Sequence, residues 1–139
     1  MLRIVIDTDV MVAAFDSDTG ASRRLLLSAL DGHFGLLLST SLMVEYEAVL
    51  TRPAMLARSG LGVGDVLSIL DDLAGLCIPV GFDFRWRPMA GDADDDHVLE
   101  TAVNGVADAI ASFNLKHLAD AGRRFGIPVL RPGDLLKRM

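Results

Sequence analysis

The sequence predicts an α/β domain with a parallel sheet between helical layers, and three observations predict it. Short apolar runs rich in β-branched residues alternate with longer segments whose apolar residues recur at helical spacing. The runs are apolar throughout, as strands buried on both faces of a parallel sheet are. Glycine, proline and capping residues fall at the junctions. The 139 residues fit one domain, 1–139, and an apolar share of 51% is enough to build a core.

Leu2–Ile6 reads as a buried strand that ends at Asp7. Ser22–Leu30 follows as a helix, with Leu25, Leu26, Leu27 and Leu30 as its apolar side and Gly32 near its stop. Leu36–Leu38 is a second strand. Ser39, Thr40 and Ser41 then offer caps for a helix running to about Thr51, just before Arg52-Pro53. Val63–Leu76 is a helix with Val66, Leu67, Leu70, Leu73 and Leu76 on one side, and Ile78-Pro79-Val80 a brief extended piece. Asp92–Asn104 is a helix capped within an acidic cluster and stopped at Gly105. Ala107–Ala111 is a strand, Leu115–Phe125 a helix, Ile127–Leu130 a strand, and Pro132–Arg138 a last helix with Pro at its start.

Composition excludes several classes. The single cysteine, Cys77, cannot form an intramolecular disulfide and reads as a small core residue. Charges or glycine interrupt every apolar stretch short of membrane length, and Asp7 and Asp9 arrive before a signal-peptide core could form, so a cytoplasmic protein is expected. No phosphate-binding glycine loop, dinucleotide fingerprint or Gly-x-Ser-x-Gly elbow is present. One cysteine and scattered histidines (His33, His97, His117) argue against zinc. A net charge of −6 is not that of a typical nucleic-acid binder, yet an acidic chain can engage RNA where divalent cations carry the positive charge.

Ligands of open α/β sheets sit beyond the carboxyl ends of the strands. Asp7 stands at such an end, either as a metal ligand or as a cap for the next segment. Thr8 can add a hydroxyl. Asp9 can join a metal shell or serve a turn. Glu45 and Glu47 lie two apart on a helix, so at most one faces a crevice beside the apolar side of Met43, Val44, Val49 and Leu50. Asp92, Asp94, Asp95 and Asp96 fall within five positions. Two like charges ~4 Å apart repel by roughly 4 kcal/mol at an effective dielectric near 20. Hard cations with oxygen ligands reverse that penalty, while a solvated acidic cap on the helix dipole is the plainer alternative. Asp92, Asp95 and Asp96 share a face that continues through Leu99, Ala102 and Val103, and Asp94 points aside. His97 is either a general base or an outlying histidine, and Asp108 a packing acid within the strand. Ser112 and Asn114 follow that strand and can hydrogen-bond a metal-bound water or a phosphate. Arg85, Trp86 and Arg87 either pack as a loop or stack a base and hold a phosphate.

Four segments in register resemble one family. Val-Ile-Asp7-Thr-Asp-Val is similar to an opening hydrophobic-hydrophobic-Asp-Thr-Asn-Val motif. Ser41-Leu-Met-Val-Glu45-Tyr-Glu-Ala-Val-Leu50 resembles a second, whose acid corresponds to Glu45. Trp86-Arg-Pro-Met-Ala-Gly-Asp92-Ala-Asp-Asp95-Asp96-His-Val-Leu-Glu-Thr-Ala is similar to a third, a tryptophan-arginine-proline run leading to clustered acids. Val103-Asn-Gly-Val-Ala-Asp108-Ala-Ile-Ala-Ser112-Phe-Asn114 resembles a fourth, ending in Thr-Phe-Asn or Thr-Gly-Asp. These are motifs of PIN domains, and the nearest branch is the VapC-like toxin component of toxin–antitoxin pairs.

The resemblance implies a three-layer α/β/α sandwich with a parallel sheet and Rossmann-like topology. It implies a carboxylate pocket for Mg²⁺ or Mn²⁺, single-stranded RNA as substrate, a homodimer, and neutralisation by a small antitoxin. The activity implied is metal-assisted hydrolysis of a phosphodiester, with Asp7, Glu45 and Asp95 as the main metal shell and Asp92 and Asp96 inside or next to it. Thr8, Arg87, Ser112 and Asn114 would support that shell or the substrate. The chain departs from the pattern where Asp9 replaces Asn, Asn114 replaces an acid found in many relatives, and His117 stands at a common Asp position. A catalytically weakened scaffold that binds RNA or antitoxin, and a receiver- or phosphatase-like aspartate enzyme, are the alternatives.

Overall fold

The computed structural model describes residues 1–81 and 93–139, with the side chains of 93–96 outside that description. The expected α/β architecture is observed. Five parallel strands, β1 (Arg3–Ile6), β2 (Gly35–Leu38), β3 (Ile78–Pro79), β4 (Ala109–Ala111) and β5 (Val129–Leu130), line up in the order β3-β2-β1-β4-β5. β1 is central, with Ile4, Val5 and Ile6 paired to Ala109, Ile110 and Ala111 of β4. Helices cover both faces, so Ile4, Val5 and Ile6 are buried to within 1%. Each such side chain contributes about 1.5–3 kcal/mol, which is why an unbroken apolar run serves here better than an alternating one.

The described helices are α1 (Thr8–Asp16), α2 (Ala21–Leu30), α3 (Thr40–Leu50), α4 (Pro53–Ser59), α5 (Val63–Leu76), α6 (Ala93–Asn104), α7 (Leu115–Arg124) and α8 (Pro132–Lys137). α1 packs on α2, α3 and α4, while α6 and α7 pack on each other and on β1, β2, β4 and β5. No helix among the described residues is long and apolar enough to cross a membrane.

Two helices were not expected from the sequence. α1 follows Asp7 directly, with Val10, Met11, Ala14 and Phe15 buried. α4 starts at Pro53 and stops at Gly60, which adopts a left-handed φ of 75°. β1, β4 and β5 start later than expected, and β2 one residue earlier. Ala107 does not begin β4, because it closes the end of α6 instead. Its N–H donates to the Ala102 carbonyl, and the Val106 N–H donates to the Val103 carbonyl. This is a Schellman cap in which Val106, with φ 53°, occupies the left-handed position that glycine usually takes. Glycine stands one residue earlier for a packing reason. A Cβ on Gly105 would lie 2.9 Å from the Thr101 carbonyl, Leu37 and Val80. The apolar sides are also narrower than expected: Leu27, Val44 and Leu76 are exposed, and Cys77 is only half-buried.

α6 runs against the strand direction. At its C-terminal end, the Arg3 guanidinium at the start of β1 donates to the Gly105 carbonyl at 2.8 and 3.0 Å. Thr101, one turn earlier, meets Ser39 at the far end of β2. The helix therefore begins, at Ala93, on the edge where the strands end; eight residues of helix span about 12 Å beyond Thr101.

Candidate active site

Three adjacent strands end in a polar residue. Asp7 follows β1, Ser39 follows β2 and Ser112 follows β4, and all three are buried. The chain leaves β1 toward β2 and β3 on one side, and reaches β4 and β5 on the other. The ends of β1 and β4 thus form the switch point where open α/β sheets hold ligands.

The local sequence fixes the Asp7 carboxylate closely. Its N–H donates to the Ala111 carbonyl at 2.9 Å, which seats it beside β4. Extended at φ −65°, ψ 151°, Asp7 is the N-cap of α1, and its Oδ1 accepts the Thr8 N–H at 2.7 Å. Its Oδ2 accepts the Ser112 hydroxyl at 2.7 Å. Ser112 Oγ in turn accepts the Asn114 N–H at 2.8 Å, so the turn after β4 is locked to the acid. At 7% exposure, Asp7 is buried rather than facing solvent at a strand end, and it both caps α1 and lies in the site.

Glu45 comes to the same place from α3. Ser39 caps that helix, accepting the Leu42 N–H at 3.2 Å. The helix then turns Glu45 toward α1, where Oε2 accepts the Thr8 hydroxyl at 2.5 Å. Glu47, two residues on, is exposed. Between them Tyr46 is fully buried and its hydroxyl donates to the Ile6 carbonyl, the peptide immediately before Asp7. Burial pushes the Tyr46 phenol well above its ordinary range, and the carboxylates of Asp7 and then Glu45 push it further. Both acids act on one phenol, which is a second sign that they converge.

Ser39 also joins α6 to the site. The Thr101 hydroxyl donates to the His97 carbonyl at 2.7 Å, leaving the Ser39 hydroxyl to donate to Thr101 Oγ1 at 2.8 Å. Glu100, next to Thr101, is fully buried.

The structure thus brings together Asp7, Thr8, Glu45, Ser112 and Asn114. Asp9 has a structural task in α1, where Oδ2 accepts the Phe113 N–H at 3.1 Å. Asp108 lies outside β4 at the opposite edge, accepting the Arg3 N–H at 2.8 Å. His33 and His117 are exposed, and His97 is half-buried. Asp92, Arg85, Trp86 and Arg87, and the side chains of Asp94, Asp95 and Asp96, lie outside the described residues. Sequence reasoning passed over Tyr46, Thr101 and Glu100. Their signal was an apolar helix side interrupted by a polar group, which a count of leucines and valines skips.

A family model described as PIN domain matches residues 3–116. The chain belongs to the PIN-domain family. PIN domains are generally metal-dependent nucleases, so this one has a nuclease fold of the hydrolase kind. No curated protein matches the chain. The match spans every described residue of the site, from Asp7 to Asn114. The strand order β3-β2-β1-β4-β5 also differs from the 2-1-3-4-5 order of receiver domains, which argues against the receiver-like alternative.

The donor chemistry fits the divalent ion that PIN domains typically use. Asp7 and Glu45 offer hard carboxylate oxygens of the kind a divalent cation takes. Among the described residues, no three His, Cys, Asp or Glu gather closely enough to hold an ion by themselves.

Proposed function

We propose that this PIN domain is an Mg²⁺- or Mn²⁺-dependent endoribonuclease that hydrolyses phosphodiester bonds of single-stranded RNA, and that it is the toxin of a type II toxin–antitoxin pair. In this reading it works in the cytoplasm as a homodimer and is neutralised by a small antitoxin protein. The observation that carries the catalytic part is the Thr8 bridge. It joins Glu45 on α3 to the residue beside Asp7, across 37 positions of sequence, at the switch point of the sheet.

Asp7, Glu45 and Asp95 would hold the ion, with Asp92 and Asp96 inside or next to that shell. Support for the acids of 92–96 comes from their order in the chain and from α6 beginning on the same edge as Asp7. A divalent cation, when bound, supplies Lewis acidity for the hydrolysis and offsets the phosphodiester's charge. The chain's own residues do the positioning. Ser112 and the Thr8 N–H hold the two Asp7 oxygens, and the Thr8 hydroxyl holds Glu45, so neither carboxylate has to reorganise during the reaction. Asn114 and Arg87 would contact substrate. Water is the nucleophile, and no side chain is covalently modified.

The test is cleavage of mixed single-stranded RNA with and without Mn²⁺ or Mg²⁺, beside Asp7→Asn. Wild type should cleave only with metal, and Asp7→Asn should lose at least about a hundred-fold with its circular dichroism unchanged. Cleavage by Asp7→Asn at the wild-type rate sinks the assignment. Ion uptake and RNA binding without any cleavage would favour the scaffold alternative.

A further inference from the structure

Phe113 lies at this same edge, in the turn after β4. It is 46% exposed, although Ser112 before it is fully buried and Asn114 after it is half-buried. A lone exposed aromatic is ordinary on a protein surface. Phe113 differs in how its backbone is held. Its own N–H donates to Asp9 Oδ2, the residue before it donates to Asp7, and the residue after it donates to Ser112 Oγ. Two successive residues of this turn are therefore tied to the N-terminal end of α1, the third is tied back to Ser112, and the ring stands out from a held base.

Its distance from the acids is bounded by chain geometry. Ile6 pairs with Ala111, so the next residues, Asp7 and Ser112, are strand neighbours at ~4.8 Å. Phe113 is one Cα step, ~3.8 Å, further on. Its Cα thus lies within about 9 Å of the Asp7 Cα, a distance that the ring and one nucleotide readily bridge. The next turn, at the start of α7, exposes Lys116 and His117, and the positive end of that helix dipole faces the same edge. A half-exposed aromatic ring beside a lysine is the arrangement by which proteins bind unpaired nucleotides, and a stacked base needs no particular sequence.

We propose that Phe113 is a stacking platform for one unpaired nucleobase next to the scissile phosphate, with Lys116 contacting the adjoining phosphate. This rests on the ribonuclease reading in that the ligand is single-stranded RNA. It also explains how a chain of net charge −6 grips RNA: through a π-face as well as cations.

The test uses the full chain with Phe113→Ala, Phe113→Leu and Phe113→Trp. Binding of a mixed 12-nucleotide single-stranded RNA is followed by fluorescence anisotropy in Ca²⁺, which supplies divalent charge in place of Mn²⁺, and kcat/KM for cleavage in Mn²⁺. Stacking predicts that Ala and Leu each weaken binding and kcat/KM by about ten-fold or more, and that Trp restores both. A series of RNAs with one abasic position each should contain a position whose loss is not deepened by Phe113→Ala. Binding by Phe113→Ala within about two-fold of wild type overturns the platform, as does Leu performing as well as Trp. Wild type that cleaves RNA with no dependence on Phe113 defeats the platform alone. Binding that depends on Phe113 without cleavage defeats the nuclease reading and keeps the platform, and a wild type that does neither removes both.

Discussion

Removing one oxygen from Tyr46 should cost stability in a way that disappears at high pH. Tyr46 is fully buried, and its hydroxyl donates to the Ile6 carbonyl. Tyr46→Phe keeps the ring's packing and leaves that carbonyl short of a donor, which costs about 1–3 kcal/mol. For a chain of this length that lowers Tm by about 3–10 °C. The pH dependence follows from the phenol's raised pKa. Folding favours the neutral phenol, so the contribution of Tyr46 is complete below the unfolded value near 10 and is lost as pH rises from there toward the folded value. Wild type should therefore lose its advantage over Tyr46→Phe above about pH 10, while other groups titrate alike in both. Because Tyr46 is the only tyrosine, near-ultraviolet tyrosinate absorbance reads it alone. It should appear together with unfolding, followed by far-ultraviolet circular dichroism, and not before. Tyrosinate forming near pH 10 in protein that is still folded would refute the reasoning, as would an unchanged Tm at neutral pH.

Val106→Gly should stabilise the fold by about 1 kcal/mol, since it relieves a left-handed valine that is 74% exposed and so has little packing to lose; a Tm equal to or below that of wild type contradicts this. Ser112→Ala removes the donor to Asp7 and the acceptor for the Asn114 N–H inside a buried turn, so both stability, by about 1–3 kcal/mol, and RNA cleavage should fall. Thr8→Val releases Glu45 from its only described anchor on α1; cleavage should drop about ten-fold or more with Tm shifting by only a few degrees, and unchanged kcat/KM would show that the bridge is incidental.

The fold was legible where one face or both faces of an element are buried. Val63–Leu76 was read to the residue, and β1 and β2 to within one, because their apolar patterns reflect real burial. α1 was missed although Val10, Met11, Ala14 and Phe15 recur at helical spacing. The polar Asp-Thr-Asp run masks the start of this helix, because Asp7 both caps it and lies at the strand-end edge. α4 buries only Met55, so periodicity had nothing to report; its marks were Pro53 at the start and Gly60 at the stop. That Asp7, Thr8, Glu45, Ser112 and Asn114 lie at one edge was legible from strand ends and motif order. The linkage was not, because whether a hydroxyl of α1 reaches a carboxylate of α3 depends on helix packing, which local sequence does not encode.

The double duty of Asp7 decides how its substitutions are interpreted. Alanine would remove a helix cap worth about 1 kcal/mol along with the charge, so lost cleavage would not distinguish a damaged α1 from a missing ligand. Asparagine caps as well as aspartate, and its Oδ1 can still accept the Thr8 N–H. Its amide nitrogen then faces Ser112 Oγ, which now donates to Asp7 and accepts from Asn114. An oxygen with two lone pairs can accept both N–H groups, at the cost of turning its own hydrogen elsewhere. Asp7→Asn therefore keeps the turn and the helix while exchanging an anionic oxygen for a donor. Of the two substitutions, it is the one whose failure to cleave would speak about chemistry rather than folding.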